Sequence, residues 1–145
     1  MMTESVEEIL REKYCSYRRA RGKKKIYIEV PVFSRSVDLV ELDGHSRKIT
    51  AVEFKITDWK RALKQLSEIS LCFDYLILCV PKPKTEKCIE NIKKSCVEKG
   101  IGLIVWDRND DNFMRVCDPI EACDIWKEPK RQILKYLKDV EVYHE

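Results

Sequence analysis

Histidine is scarce in this sequence, and the cysteines lack the spacing of a zinc site or a disulfide framework. There are only two histidines, His45 and His144, and both stand in polar surroundings typical of a turn and a tail. The seven cysteines are odd in number and form no C-x-x-C pair, so we expect buried free thiols in a reducing compartment. The alternative is an iron–sulfur site built from Cys15, Cys117, Cys123 and one more cysteine.

Long apolar runs, repeats and low-complexity segments are also missing. No run approaches the roughly 18 apolar residues of a membrane span, and the opening MMTESVEEILREK lacks the apolar stretch of a signal peptide. Apolar residues make up 44% and charged residues 37% of the 145-residue chain, which excludes a disordered protein. We therefore expect a cytoplasmic protein with one domain, residues 1–145, and no membrane partner.

The order of sequence patterns predicts a mixed sheet flanked by helices. Ser5-Val6-Glu7-Glu8 is typical of a capping box, so a first helix is expected to about residue 20. The segments that predict strands are IYIEVPVF, SVDLVEL, ITAVEFKI, YLILCV, IGLIVW and NFMRVC. Further helices are expected from Thr57 or Asp58, before Gly100, and around Pro129. The fold class predicted is α/β with an α-β-β-β-α-β core.

Acidic and basic side chains share one face of the third predicted strand. Because side chains alternate along a strand, Glu53 and Lys55 point to the same side. In the second strand, Asp38 lies inside an apolar run, where an unpartnered carboxylate is unfavourable. If the two strands form a hairpin through the DGHSRK turn, Asp38 comes beside Glu53 or Lys55.

Such a pair of carboxylates has a chemical and a structural interpretation. Two close carboxylates repel each other unless a cation lies between them, and oxygen ligands suit Mg²⁺ or Mn²⁺. A metal of this kind generates a nucleophilic water and balances phosphate charge, while a lysine adds a positive charge nearby. The alternative is that Asp38 forms a structural ion pair with Lys55 or Arg47.

The spacing of Asp38 and then Glu53-Phe54-Lys55 resembles the PD-(D/E)XK nucleases of restriction-endonuclease-like fold. The segments EVPVFSRSVDLVEL, EFKITDWKRALKQL, DYLILCVP and KGIGLIVWD extend the resemblance over residues 4–107. Val37 departs from it, because the name of the motif calls for proline at that position.

The resemblance implies a role for each residue of the motif. Asp38 and Glu53 would bind the divalent ion together with the Phe54 carbonyl, Lys55 would orient or polarise the attacking water, and Gln65 would lie beside the site. Some members carry an extra acidic residue, and the candidates for that position are Glu29, Glu8 and Glu12.

Two basic segments are candidates for contact with nucleic-acid phosphates. The first is the run Arg18, Arg19, Arg21, Lys23, Lys24 and Lys25. The second is a helix face with Lys60, Arg61 and Lys64, which begins near the predicted site. For each segment, a solvated surface without a ligand is the alternative.

Together these patterns predict a Mg²⁺- or Mn²⁺-dependent deoxyribonuclease with DNA as its partner. RNA is the alternative substrate. Monomer and homodimer both stay open, since a nuclease that cuts both strands often works as a dimer. A catalytically inactive nucleic-acid-binding module and a protein-interaction subunit on the same fold are the rival functions.

Overall fold

A computed structural model describes residues 5–22 and 24–144, with side chains as far as residue 141. Its elements in chain order are α1 (Val6–Arg21), β1 (Lys24–Val32), β2 (Arg35–Asp43), β3 (Ile49–Phe54), α2 (Trp59–Glu68), a 3₁₀ turn (Ser70–Cys72), β4 (Tyr75–Pro81), α3 (Glu86–Lys99), β5 (Gly102–Asp107), β6 (Asn112–Cys117) and α4 (Lys127–His144). The predicted α/β class is confirmed, and the α-β-β-β-α-β order is consistent with a restriction-endonuclease-like fold.

The six strands form one sheet in sequence order, β1 to β6. The first three strands are antiparallel neighbours, whereas β3, β4 and β5 are parallel to one another. The C-terminal ends of these three parallel strands, at Phe54, Pro81 and Asp107, therefore lie along one edge of the sheet. We call this the carboxyl edge. The antiparallel strand β2 begins there.

Both faces of the sheet are covered by apolar side chains. One face packs against α2, α3 and α4, and its core includes Ala51 of β3. The other face packs against α1, and its core includes Val52 and Phe54. The predicted alternation along the third strand is therefore confirmed.

Local signals explain several helix boundaries. The Ser5 side chain accepts a hydrogen bond from the Glu8 backbone N–H, as the capping box predicts. Asp58 caps α2 in the same way, and Gly100 ends α3 in the left-handed conformation, φ 70°.

Three predictions need correction. The third strand ends at Phe54, so Lys55 follows it, and the first strand begins at Lys24 inside the basic run. The iron–sulfur alternative is wrong, because Cys15 packs in the α1-side core whereas Cys117 packs against the opposite core. All seven cysteines are free.

No helix among the residues that the structure describes is both long and apolar enough to cross a membrane.

Candidate active site

The ladder between β2 and β3 ends where the two acidic residues of the motif meet. The last regular pair is Leu39 with Val52, which places Asp38 opposite Glu53. The Asp38 Oδ2 atom accepts a hydrogen bond of 2.9 Å from the backbone N–H of Phe54. In a continued ladder, a main-chain carbonyl of β2 would accept that bond. The Asp38 side chain therefore ends the ladder and turns into the gap between the strands.

The Glu53 carboxyl group is buried against Asp38. Only 8% of Glu53 is exposed, and its carboxyl group lies near enough to Asp38 for Asp38 to shift its pKa. Burial raises the pKa of Glu53 to about 9, and the hydrogen bond and negative charge of Asp38 add to the rise. A buried glutamate next to an aspartate, with its pKa raised, leaves this site short of positive charge.

The Phe54 carbonyl faces the same gap. The N–H of Lys55 points toward β4, where it donates to the Cys79 carbonyl at 3.1 Å. Successive peptide groups alternate in direction along a strand, so the N–H and carbonyl of Phe54 both point toward β2. The main-chain oxygen between the acid and the lysine is thus directed to the Asp38 side of the site.

Lys55 lies close enough to Glu53 for its positive charge to oppose the rise in the pKa of Glu53. Its Nζ atom is also 4.0 Å from the Oε1 atom of Glu7, at the start of α1. The helix glutamate at this lysine is therefore Glu7, and not Glu8 or Glu12. Sequence reasoning missed Glu7 because the capping box explained that segment without any reference to the site.

Among the residues that the structure describes, no hydrogen bond or ion pair joins Glu29 to Asp38 or Glu53. Its backbone position is opposite Asp38 by register, but its side chain is 68% exposed and pairs with Arg11 of α1 at 3.2 Å. The backbone of Glu29 has φ 51°, which interrupts the regular pairing at this point. Its assignment as the extra acidic residue finds no support in these contacts.

Gln65 lies on α2, which packs over the sheet face that carries Ala51. Its side chain is half-buried. Within the described part of the chain, no hydrogen bond joins Gln65 to Asp38, Glu53 or Lys55. Its participation in the site stays a prediction.

The donor set suits a small hard cation. Across residues 5–22 and 24–144, no group of three or more His, Cys, Asp or Glu side chains is arranged to hold a metal. The site offers two carboxyl groups and a backbone carbonyl, which are oxygen donors of the kind that Mg²⁺ and Mn²⁺ prefer. A cation would also favour the ionised form of Glu53, whose pKa is raised first by burial and then by Asp38.

Arg18 has a structural partner. Its guanidinium binds both carboxylate oxygens of Glu41, at 3.2 and 2.9 Å, and Glu41 is 1% exposed. Tyr14 donates a hydrogen bond to the same carboxylate at 2.5 Å, and burial together with Glu41 raises the pKa of Tyr14. A buried carboxylate needs such partners, so Arg18 is occupied within the fold rather than free for phosphates.

The rest of the basic run lies far from the carboxylate pair. Lys24 is level with Asp43 at the C-terminal end of β2, five residues from Asp38, or about 17 Å at the rise of a strand. Lys24 approaches Glu41 at 3.9 Å and Lys25 pairs with Glu141 at 3.1 Å. Arg19 and Arg21 are exposed, and Lys23 lies outside the described residues.

The second basic segment lies nearer to the site. Lys60, Arg61 and Lys64 are exposed on the first two turns of α2, which begins just beyond the carboxyl edge. They stay candidates for phosphate contacts close to Lys55.

Comparison with known proteins gives a fold but no family. No family model matches the chain, and no curated protein matches it. A protein of unknown function from Silicibacter pomeroyi has a similar structure, with a TM-score of 0.71 and 13% identity over 99% of this chain and 90% of the other. At this identity the likeness shows a shared fold.

Two solved structures are more distant. A repair endonuclease from Pyrococcus abyssi has a TM-score of 0.48 and 22% identity over 74% of this chain and 49% of its own. SfsA of Pyrococcus furiosus in complex with Ca²⁺ has a TM-score of 0.44 and 12% identity over 79% and 65%. Both are too distant to indicate what this chain does.

Proposed function

We propose that this protein is a metal-dependent nuclease that hydrolyses DNA phosphodiester bonds. One observation carries the proposal: Asp38 and the buried Glu53 lie opposite each other at the carboxyl edge, with Lys55 beside them. A buried glutamate next to an aspartate, with its pKa raised above the ordinary value, does not favour stability. Recruitment of a cation gives this arrangement a function.

The residues that would hold the ion are Asp38, Glu53 and the Phe54 carbonyl. A bound Mg²⁺ or Mn²⁺ supplies a water of lowered pKa and balances negative charge on the phosphate. Glu53 would lose its proton on binding the ion, because metal ligands must be deprotonated.

Lys55 would act on the reacting groups directly. Its ammonium group donates hydrogen bonds from a flexible stem, so it can orient the attacking water or stabilise charge that develops on the phosphoryl oxygens. Its position next to Glu53 keeps it within the same site, and its pairing with Glu7 restricts the directions that it samples.

Incubation with plasmid, linear and branched DNA tests the proposal. Cleavage is expected with Mg²⁺ or Mn²⁺ and should stop with EDTA. Asp38→Asn and Glu53→Gln change each acid with little change in shape, and both should be inactive. A purified Glu53→Gln variant that cleaves as fast as the wild type would defeat the assignment. A single-stranded RNA arm decides whether RNA is also a substrate, and sedimentation of the active form decides whether it is a homodimer.

A nucleic-acid-binding module without catalysis is the second candidate. The observation in its favour is that the site has only two carboxylates, with no third acidic, histidine or cysteine side chain grouped with them among the described residues. It predicts salt-sensitive binding and no cleavage of any DNA form with either metal.

A further inference from the structure

A basic pocket lies at the carboxyl edge beside the carboxylate pair, and neither basic segment predicted from the sequence includes it. The pocket has a volume of about 510 Å³ and is formed where β4 and β5 end. Its lining residues are Pro81, Lys82, Pro83, Lys84, Trp106, Asp107, Arg108 and Asn109. We call it the strand-end pocket.

The position of the pocket follows from the parallel strands. Phe54 is level with Cys79 on β4, and Lys82 is three residues further along. At a strand spacing of about 4.8 Å and a rise of about 3.3 Å, Lys82 lies about 11 Å from Phe54. At the rise of about 3.4 Å per nucleotide, that distance corresponds to about three nucleotides along the axis of a duplex. Ligands of open α/β sheets bind outside the carboxyl ends of the strands.

The strand-end pocket has a net positive charge, and two of its cations are exposed to an incoming ligand. Lys84 and Arg108 are exposed, and neither forms an ion pair within the part of the chain that the structure describes. Lys82 is 3.7 Å from Asp107, the one acidic residue of the lining. Three cations thus face one anion.

The backbone of the pocket is held in place before any ligand arrives. The segment Pro81-Lys82-Pro83-Lys84 has two prolines, whose rings fix φ. The Lys82 N–H donates to the Trp106 carbonyl at 2.8 Å, and the Arg108 guanidinium lies 5.5 Å from the centre of the Trp106 ring. Cations on a fixed backbone lose less entropy when they bind an anion.

A second charged cavity, of about 420 Å³ at the opposite edge, lacks this property. Its cations already have acidic partners: Arg18 and Lys24 with Glu41, Lys48 with Glu121, and Arg115 with Asp118. A phosphate at that cavity would have to displace existing ion pairs.

We propose that the strand-end pocket binds the phosphodiester backbone of nucleic acid a few nucleotides from the phosphate held at Asp38 and Glu53. The placement of a phosphate at Asp38 and Glu53 rests on the proposed function. Binding of the nucleic-acid backbone at the strand-end pocket does not depend on it. Lys84 and Arg108 would contact phosphate oxygens, and Lys82 would add charge. The contact is blind to sequence, because it involves only the backbone.

Matched pairs of substitutions test the pocket. Lys84→Ala with Arg108→Ala removes two exposed cations from the pocket, and Arg19→Ala with Arg21→Ala removes two exposed cations from the C-terminal end of α1, away from the pocket. Binding of a fluorescein-labelled duplex is measured by anisotropy in EDTA, at several salt concentrations, after circular dichroism has shown that both proteins are folded. The pocket pair should weaken binding at least about 10-fold and reduce the slope of log K against log salt by about 2. The control pair should change affinity less than about 3-fold, through long-range charge alone.

The outcomes separate the pocket from the nuclease. The pocket proposal would be overturned if the two double variants lost DNA affinity equally, or if the wild type did not bind DNA at low salt. If the pocket pair loses affinity while the wild type cleaves nothing with Mg²⁺ or Mn²⁺, the pocket stands and the nuclease proposal fails. If the wild type cleaves and the pocket pair binds and cleaves normally, the nuclease proposal stands and the pocket is wrong.

Discussion

Asp38 supports the backbone of the strand on which its neighbour Glu53 lies: its carboxylate accepts the Phe54 N–H at 2.9 Å. One side chain therefore ends the ladder between β2 and β3 and also stands at the candidate metal site. Removal of this side chain has two consequences, a structural one and a chemical one, and substitutions that differ in hydrogen-bonding capacity can separate them.

Asp38→Asn should abolish cleavage and leave the fold nearly as stable as the wild type. The asparagine oxygen can still accept the Phe54 N–H, but the negative charge is lost. We expect a fall in cleavage rate of more than about 100-fold, because charge stabilisation by a bound metal is worth several kcal/mol. Asp38→Ala should in addition destabilise the protein by about 1–3 kcal/mol, because a buried N–H loses its acceptor. Urea denaturation of both variants measures the difference, and equal stabilities would contradict the structural role.

Without metal, the protein should lose stability as the pH rises from about 5 toward 9. The pKa of Glu53 is raised from 4.5 to about 9 in the folded protein, so within this window the unfolded chain has released a proton that the folded chain retains. The contribution of Glu53 to the free energy of unfolding is therefore fully present below its unfolded pKa, and it is lost as the pH rises toward its folded pKa. Thermal unfolding in EDTA across this range measures the loss.

Glu53→Gln should remove that part of the pH dependence. A neutral amide has no charge to bury, so the variant should become more stable than the wild type at pH 8, by about 1 kcal/mol or more, and the difference should shrink toward pH 5. Glu12→Gln, at an exposed position of α1, is the matched control. Parallel stability curves for the wild type and Glu53→Gln would contradict the burial of an ionisable pair.

Mn²⁺ or Mg²⁺ should stabilise the wild type, and the effect should increase with pH. A ligand that binds only the folded state adds about 2.7 kcal/mol at 100 times its Kd, and the site must lose its proton to accept the ion. The rise in melting temperature should be absent in Asp38→Asn and in Glu53→Gln. An equal rise in these variants would place the metal elsewhere.

The sequence predicted the elements whose signals are local. The Ser5 capping box, the hairpin turn at Asp43 and the alternation along β3 each depend on a few adjacent residues. One hairpin joins β2 and β3, which predicted Asp38 beside Glu53 or Lys55, and the register places it opposite Glu53. The sequence did not predict the partner of Arg18, because Glu41 lies 23 residues away on another element.

The strand-end pocket escaped sequence reasoning for a topological reason. Lys84 and Arg108 are separated by α3 and β5, and only the parallel arrangement of β4 and β5 brings them to one edge. The available signal was that basic residues, Lys82, Lys84 and Arg108, follow both predicted parallel strands. The same topology places the basic run of α1 and β1 at the opposite edge of the sheet. The hydrophobicity pattern of the sequence does not predict at which edge a charged segment lies.

Lys55→Ala should reduce cleavage more than about 100-fold and change the free energy of unfolding by less than about 1 kcal/mol. The ion pair of Lys55 with Glu7, at 4.0 Å, is partly exposed, and such pairs contribute little to stability. Glu7→Gln is the control, because it breaks the pair and keeps the lysine, and it should cleave within a few-fold of the wild type. Stabilisation by Mn²⁺ should survive in Lys55→Ala, since the lysine is not a ligand. Loss of that stabilisation would mean that Lys55 organises the metal site rather than the water.

Arg18→Ala should unfold more easily and bind DNA no worse than Arg19→Ala. Removal of the guanidinium leaves Glu41, which is 1% exposed, without its bidentate partner. Breaking a buried ion pair in this way is expected to cost about 3 kcal/mol, although Lys24 at 3.9 Å from Glu41 can recover part of the interaction. Arg19 is exposed on the same helix, and its substitution should change stability by no more than about 0.5 kcal/mol. A large loss of affinity in a stable Arg18→Ala protein would restore Arg18 to the phosphate-binding residues, because the ion pair with Glu41 would then be dispensable for folding.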